Sequence, residues 1–320
     1  MKQKPYDITA LGELLIDMTQ NGVSAQGNPL FEANPGGAPA NVLAMARKLG
    51  HSCAFIGKVG KDSFGDLLEE TLEQAGIDTE GLARDPQIPT TLALVHTLPD
   101  GERDFTFYRK PGADLLLQID EVPDDLLEDC RIFHYGTLSL SEEPCRSATQ
   151  FAVETAREAG ALLSFDPNLR MPLWSDEEAA RTQIAWGLAR CDILKIADNE
   201  AEFMTGTADL EQAARILQSQ YPGIRLLNIT SGARGSDSWY RGIHVHEPAC
   251  SRGGVIETTG AGDTFCACVL HYVLEHGLSD LQEADLREML HYANTAAYLV
   301  TTRRGAIPAM PDPAEVEALL

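Results

Sequence analysis

No stretch of this sequence is apolar for long enough to cross a bilayer, which takes about 20 consecutive apolar residues. The first residues run from a short polar leader into an apolar strand without the hydrophobic segment of an export signal, so a cytoplasmic protein is expected. Basic residues are scarce. The 25 Lys and Arg against 48 Asp and Glu give a formal net charge of −23, which disfavours non-specific binding to nucleic acid or to an anionic membrane. The seven cysteines, Cys53, Cys130, Cys145, Cys191, Cys250, Cys266 and Cys268, lack the paired spacing of a zinc site or a disulfide framework and fit a reducing compartment. Cys266 and Cys268 stand one residue apart on an expected helix, so they point to different faces and are read as core thiols. There is no internal repeat, low-complexity tract or long linker. No G-x-G-x-x-G opens a helix after the first strand, which sets aside a dinucleotide-dependent dehydrogenase.

What remains is a 320-residue chain with 44% hydrophobic and 23% charged residues, the balance of a globular protein. It is long enough to bury one large core with an appendage. Apolar runs predict strands at 8–16, 53–59, 132–135, 162–165, 193–196 and 226–229, and amphipathic stretches predict helices at 38–49, 64–75, 143–159, 177–189 and 210–220. Gly50, Gly76 and Gly160 close three of these helices, supplying the left-handed residue that a helix end favours. Asp62 or Ser63 caps another. Such alternation implies an α/β fold, a doubly wound and mostly parallel sheet flanked by helices.

Residues 91–108 break the rhythm: two alternating arms flank Pro99-Asp100-Gly101 with no helix between them, which predicts a β-hairpin. Inserted in a doubly wound sheet, it reads as a small β-strand lid.

The sharpest local feature is Glu257-Thr258-Thr259-Gly260-Ala261-Gly262-Asp263-Thr264-Phe265, which opens an apolar helix. Small residues let the backbone turn tightly, and the first N–H groups of the helix then converge where its dipole favours an anion. Asp263 at the mouth of that helix could merely cap it. Directly after Gly260, Ala261 and Gly262, however, it is a base beside a phosphate site. Transfer of a phosphoryl group to a hydroxyl needs that pairing, with donors for the charged oxygens and an acceptor for the proton.

This nonapeptide closely resembles the carboxy-terminal signature of the ribokinase-like (PfkB) carbohydrate kinases. Their amino-terminal signature is matched by Gly36-Gly37-Ala38-Pro39-Ala40-Asn41, and the resemblance covers essentially all 320 residues. It implies a single kinase domain with lid strands inserted at about 12–36 and 90–111. It also implies ATP and Mg2+ as cofactors, and Asp263 as base with Gly260, Ala261 and Gly262 as anion hole. Asp17, Gly36, Gly37 and Asn41 match positions that hold the sugar. Asn168 and Arg170, in Asp166-Pro167-Asn168-Leu169-Arg170, match positions near the phosphoryl path and the far end of the substrate. Asn199 and Glu202 are matched to an Asn-x-x-Glu element that organises magnesium, largely through water; read without the family, Asn199 is a helix cap with Glu202 as its partner. Thr230, Gly232, Arg234 and Gly235 belong to the loop along the nucleotide phosphates, and Asn294 to the helix against which adenine packs. Glu257 stands where relatives usually carry Asp beside a monovalent cation, and its longer side chain argues against direct potassium binding.

The stretches 105–114 and 134–140 resemble the bacterial fructokinase branch, which implies D-fructose as acceptor and fructose 6-phosphate as product. Phe107 stands where kinases of the sugar acid ketodeoxygluconate carry tyrosine, and Arg109 is shared with them. Ribose, adenosine and aminoimidazole riboside are the other acceptors, the last two needing an apolar platform such as Phe31, Phe105 and Phe107. A catalytically inactive binding relative is the alternative from another class, although it would be expected to lose Asp263. Apolar residues on both faces of the lid predict a homodimer joined through it.

Overall fold

The computed structural model describes residues 5–97 and 103–320, and the alternating runs assemble there into two sheets. The strands are β1 (Tyr6–Leu11), β2 (Leu15–Val23), β3 (Pro29–Gly36), β4 (Cys53–Gly60), β5 (Asp78–Asp85), β6 (Leu92–Thr97), β7 (Arg103–Tyr108), β8 (Cys130–Tyr135), β9 (Leu162–Phe165), β10 (Ile193–Ala197), β11 (Leu226–Thr230), β12 (Ser236–Tyr240) and β13 (Ile243–Glu247). The helices are α1 (Ala38–Lys48), α2 (Ser63–Gln74), α3 (Asp124–Glu128), α4 (Cys145–Glu158), α5 (Glu177–Leu188), α6 (Asp198–Thr205), α7 (Leu210–Gln220), α8 (Ala261–His276), α9 (Glu283–Thr301) and α10 (Pro313–Glu317).

The central sheet runs in the order β13-β12-β11-β10-β9-β8-β1-β4-β5. Its pairs are parallel except where β12 and β13 add an antiparallel edge. A parallel sheet must be covered on both faces, and alternation along the strands achieves it. Ile8 and Ala10 of β1 enter a core shared with Val42 of α1, Val269 of α8 and Leu290 of α9. Leu11 enters the other core, with Ala152 of α4, Ile184 of α5 and Leu217 of α7. The expected doubly wound α/β architecture is the one observed.

The expected strand at 8–16 is not continuous. The chain leaves the central sheet after Leu11 and re-enters as β2 in a second, four-stranded sheet ordered β3-β2-β6-β7. Gly12 permits the break, because a Cβ there would lie 2.6 Å from the Pro39 ring. Within the small sheet β6 and β7 pair antiparallel, Leu92 opposite Tyr108, as the hairpin reading requires; its turn at Pro99-Asp100-Gly101 and the side chain of Phe105 lie outside the described residues. Strands β5 and β12 were hidden by their polarity: DTEGLARD and SDSWY carry no apolar run.

Gly50, Gly76 and Gly160 have φ of 93°, 76° and 81°, the left-handed helix ends expected. Asp62 is the cap of α2, accepting from the backbone N–H groups of Phe64 and Gly65. All seven cysteines are free, and Cys266 and Cys268 are buried. Among the described residues no helix is long and apolar enough to cross a membrane.

Gly187 of α5 supports the end of β9, since a Cβ there would lie 2.4 Å from the ring of Phe165, which is fully buried. Alanine gains roughly 0.5–1 kcal/mol over glycine inside a helix, whereas displacing a packed ring costs about 1–3 kcal/mol. Gly187→Ala should therefore lower the midpoint of urea unfolding, and a raised midpoint would contradict this packing.

Candidate active site

Strand order reverses between β8 and β1, and ligands of open α/β sheets bind beyond the carboxyl ends at such a switch point. Here a cavity of about 550 Å³ is lined by Asp17, Gly37, Asn41, Phe107, Asn168, Arg170, Thr230, Gly260, Gly262 and Asp263, ten of the residues singled out from the sequence. Glu13 and Lys195 also line it. A second, more apolar cavity of about 320 Å³ adjoins it through Thr230, Thr258 and Gly262, and Gly232, Gly235, Ala261 and Asn294 lie on its wall.

The turn that opens α8 joins the two cavities. Gly260 adopts φ 79°, and no side chain caps the helix, so the positive end of its dipole lies where the two cavities meet. Asp263 occupies the third helical position rather than the cap. Its carboxylate accepts a 2.7 Å hydrogen bond from Nδ2 of Asn41. Burial, reinforced by the nearby Asp166 charge, raises its pKa to about 6, although Asn41, Lys195 and Arg170 favour the ionised form. A carboxylate with that affinity can accept a hydroxyl proton near neutral pH. The Oδ1 atom of Asn41 is buried without a protein partner, leaving an acceptor for a ligand hydroxyl.

On the side facing the small sheet, close backbone approach shapes the cavity. A Cβ at Gly36 would lie 2.9 Å from Oδ2 of Asp17, and one at Gly37, whose φ is 132°, would lie 2.3 Å from the Glu13 carbonyl. Glu13 falls within the stretch 8–16 expected as a single strand. It is buried, accepts from the N–H of Ala38 at 2.8 Å, and burial pushes its pKa up to about 7. The signal was a carboxylate inside an otherwise apolar run.

Arg109, expected at the far end of the sugar, is not among the residues lining the main cavity. It is buried against Asp114, 2.6 Å away, and donates to the Leu138 carbonyl and to Oγ of Ser141. Its guanidinium is satisfied inside the wall. Asp17 and Phe107 reach the cavity from β2 and β7. Arg170 and Asn168 reach it from the loop after β9, Asn168 with φ 44°.

The Asn-x-x-Glu reading shifts by two residues. Helix α6 begins after Ala197, and the buried Glu200 accepts from the N–H groups of Ala197 at 2.8 Å and Leu169 at 2.6 Å. The element therefore falls on Ala197 and Glu200, while Asn199 and Glu202 are exposed, and Asn199 is not the cap. Arg234 is also exposed and paired with Asp198. In the same loop a Cβ at Gly235 would lie 2.2 Å from the Glu247 carbonyl. Asn294 accepts from Oγ of Ser236 and donates to the carbonyls of Glu247 and Pro248, tying α9 to the edge of the apolar cavity. Glu257 is half-buried ahead of the turn, its N–H donating to the Thr301 carbonyl.

If Asp263 is the base, Asp263→Asn should lower turnover by roughly 10²-fold or more while leaving nucleotide binding nearly intact. The wild-type kcat/KM should fall as pH drops through about 6, where the carboxyl protonates. Near wild-type turnover in the variant would remove Asp263 from the mechanism.

Comparison with known proteins points the same way. A probable fructokinase of Arabidopsis thaliana is 42% identical over 98% of this chain and 90% of its own length. The crystal structure of a fructokinase from Xylella fastidiosa with bound ATP superposes with a TM-score of 0.88 at 31% identity, covering 98% of this chain and 97% of that one. A fructokinase double mutant from Vibrio cholerae, in a form bound to fructose, ADP and a potassium ion, gives 0.87 at 29% identity with both chains fully covered. The model of the pfkB family of carbohydrate kinases matches residues 6–313, and with the glycine turn and buried carboxylate of that match already in place at the head of α8, the chain belongs to this family.

Proposed function

We propose that this protein is an ATP-dependent fructokinase that converts D-fructose to fructose 6-phosphate. The observation that carries the reading is the placement of Asp263 on the wall of the cavity bordered by Asp17 and Asn41, next to Gly262, which that cavity shares with an apolar one lined by α9. Asp17, Gly36, Gly37 and Asn41 hold the ring hydroxyls, and adenine enters the apolar cavity beside Asn294. The γ-phosphoryl group then lies over Gly260 to Gly262. The primary hydroxyl attacks phosphorus and its proton passes to Asp263, while the donors of the turn stabilise the equatorial oxygens.

Magnesium in this reading is carried by the nucleotide phosphates. Both Glu200 oxygens accept backbone N–H groups and Glu202 is exposed, a donor set that suits an ion retaining most of its water. Potassium binding near Glu257 is optional. The small sheet acts as a lid over the sugar within a single kinase domain. Its exposed Val23, Leu30, Phe31 and Tyr108 support a homodimer formed through that sheet. A cytoplasmic location belongs to the same reading.

A neutral sugar is favoured over ketodeoxygluconate by two features. Phe107 presents no phenol to the cavity, and Arg109 is neutralised by Asp114 rather than available to a carboxylate.

In an ADP-release assay across fructose, ribose, ketodeoxygluconate, adenosine and aminoimidazole riboside, fructose should give a kcat/KM at least about tenfold above any other, roughly 1.4 kcal/mol of differential transition-state binding. A higher value for ketodeoxygluconate would mean that a carboxylate site has been missed. Light scattering at micromolar concentration should report a dimer, and a monomer would count against the lid interface.

A further inference from the structure

We propose that Lys195 is a positioning cation of the phosphoryl-transfer site, held by Asp166 against the back of the Gly260 to Gly262 turn. This deepens the kinase reading and rests on it. Lys195 sits in β10, flanked by the apolar Leu194 and Ile196, both fully buried. Its ammonium lies 2.9 Å from Asp166 Oδ2, and a Cβ at residue 262 would come within 2.9 Å of Nζ. Gly262 thus lets the ammonium press on the turn from behind, and Lys195 reaches the cavity wall itself.

Charge accounts for the need. Three buried carboxylates, Asp166, Glu200 and Asp263, surround this one buried ammonium. The chain as a whole carries −23, and a triphosphate adds more negative charge at the same place. A fixed cation in a poorly solvated site offsets that charge far more than an exposed one. Arg234 is exposed and paired with Asp198, and Arg170 lies in a partly exposed loop.

A structural explanation would be that Lys195 only neutralises Asp166, since a buried carboxylate left alone is strongly destabilising. Two variants separate the cases. Lys195→Met removes the cation, and Lys195→Met with Asp166→Asn removes both charges, so that neither is stranded. Fructose-dependent ADP release by the wild type is measured first. Its absence would sink the fructokinase reading, and Lys195 is then assayed with whichever panel sugar is phosphorylated. If Lys195 serves transfer, both variants should melt cooperatively, keep the sugar KM within about threefold and lose kcat by roughly 10²-fold or more. In Lys195→Met the acid limb of kcat/KM should also move to higher pH, because Asp263 loses a neighbour that favours its ionised form while Asn41, Asp166, Glu200, Arg170, His134 and Cys266 stay in place; in the double variant the Asp166 charge, which disfavours that form, is lost as well, so its acid limb should lie below that of Lys195→Met. Recovery of the double variant to within about fivefold of wild type would show that Lys195 only neutralises Asp166 and would overturn the proposal. So would a loss confined to KM, or failure of both variants to fold.

Discussion

In the proposed reaction a carboxylate must stay available as a proton acceptor at the spot where phosphate charge accumulates, and the rest of the site follows from that conflict. Asp263 is buried, which disfavours its charge. It is accompanied by an amide donor from Asn41 at 2.7 Å, by the ammonium of Lys195 and by the uncapped first turn of α8. Each favours negative charge over a short distance. Their sum places the Asp263 pKa near 6, low enough for ionisation at neutral pH and high enough for useful basicity. An acidic surface does not prevent this, because buried groups are screened far less than exposed ones.

The fold supplies the convergence. Parallel strands end on one side of the sheet, so Glu13 and Asn168 in the loops after β1 and β9, and Ala197 and Thr230 at the ends of β10 and β11, meet at a single cavity. Helices α1 and α8 aim their amino ends at the same place, one carrying Asn41 and the other Asp263, 222 residues apart in sequence yet hydrogen-bonded. The second sheet grows out of β1 through the Gly12 break and brings Asp17 and Phe107 over the cavity.

Legibility in the sequence depended on whether chemistry was contiguous. The turn from Gly260 to Asp263 and the segment from Gly36 to Asn41 were readable because glycines, helix start and functional side chain lie within six residues. The alternation of strands and helices was readable for the same local reason. Arg109 was misplaced because its partner Asp114 settles its orientation only in three dimensions. The Asn199 and Glu202 reading slipped by two residues, within the usual uncertainty of a helix boundary, and Glu200 took the buried place. Lys195 was missed altogether: in a strand buried on both faces one lysine looks like an interruption, and its meaning comes from Asp166 just past the adjoining strand and Gly262 on a distant helix.

The protonation state of Asp263 is the property on which the proposed chemistry most directly depends. Carbon-13 NMR titration of the carboxyl groups, with Asp263→Asn identifying the resonance, measures it without any assumption about substrate. A carboxyl titrating near 6 and lost in the variant is the expected result. A resonance that titrates in the ordinary aspartate range, about 4, would mean that the site does not hold its base as described.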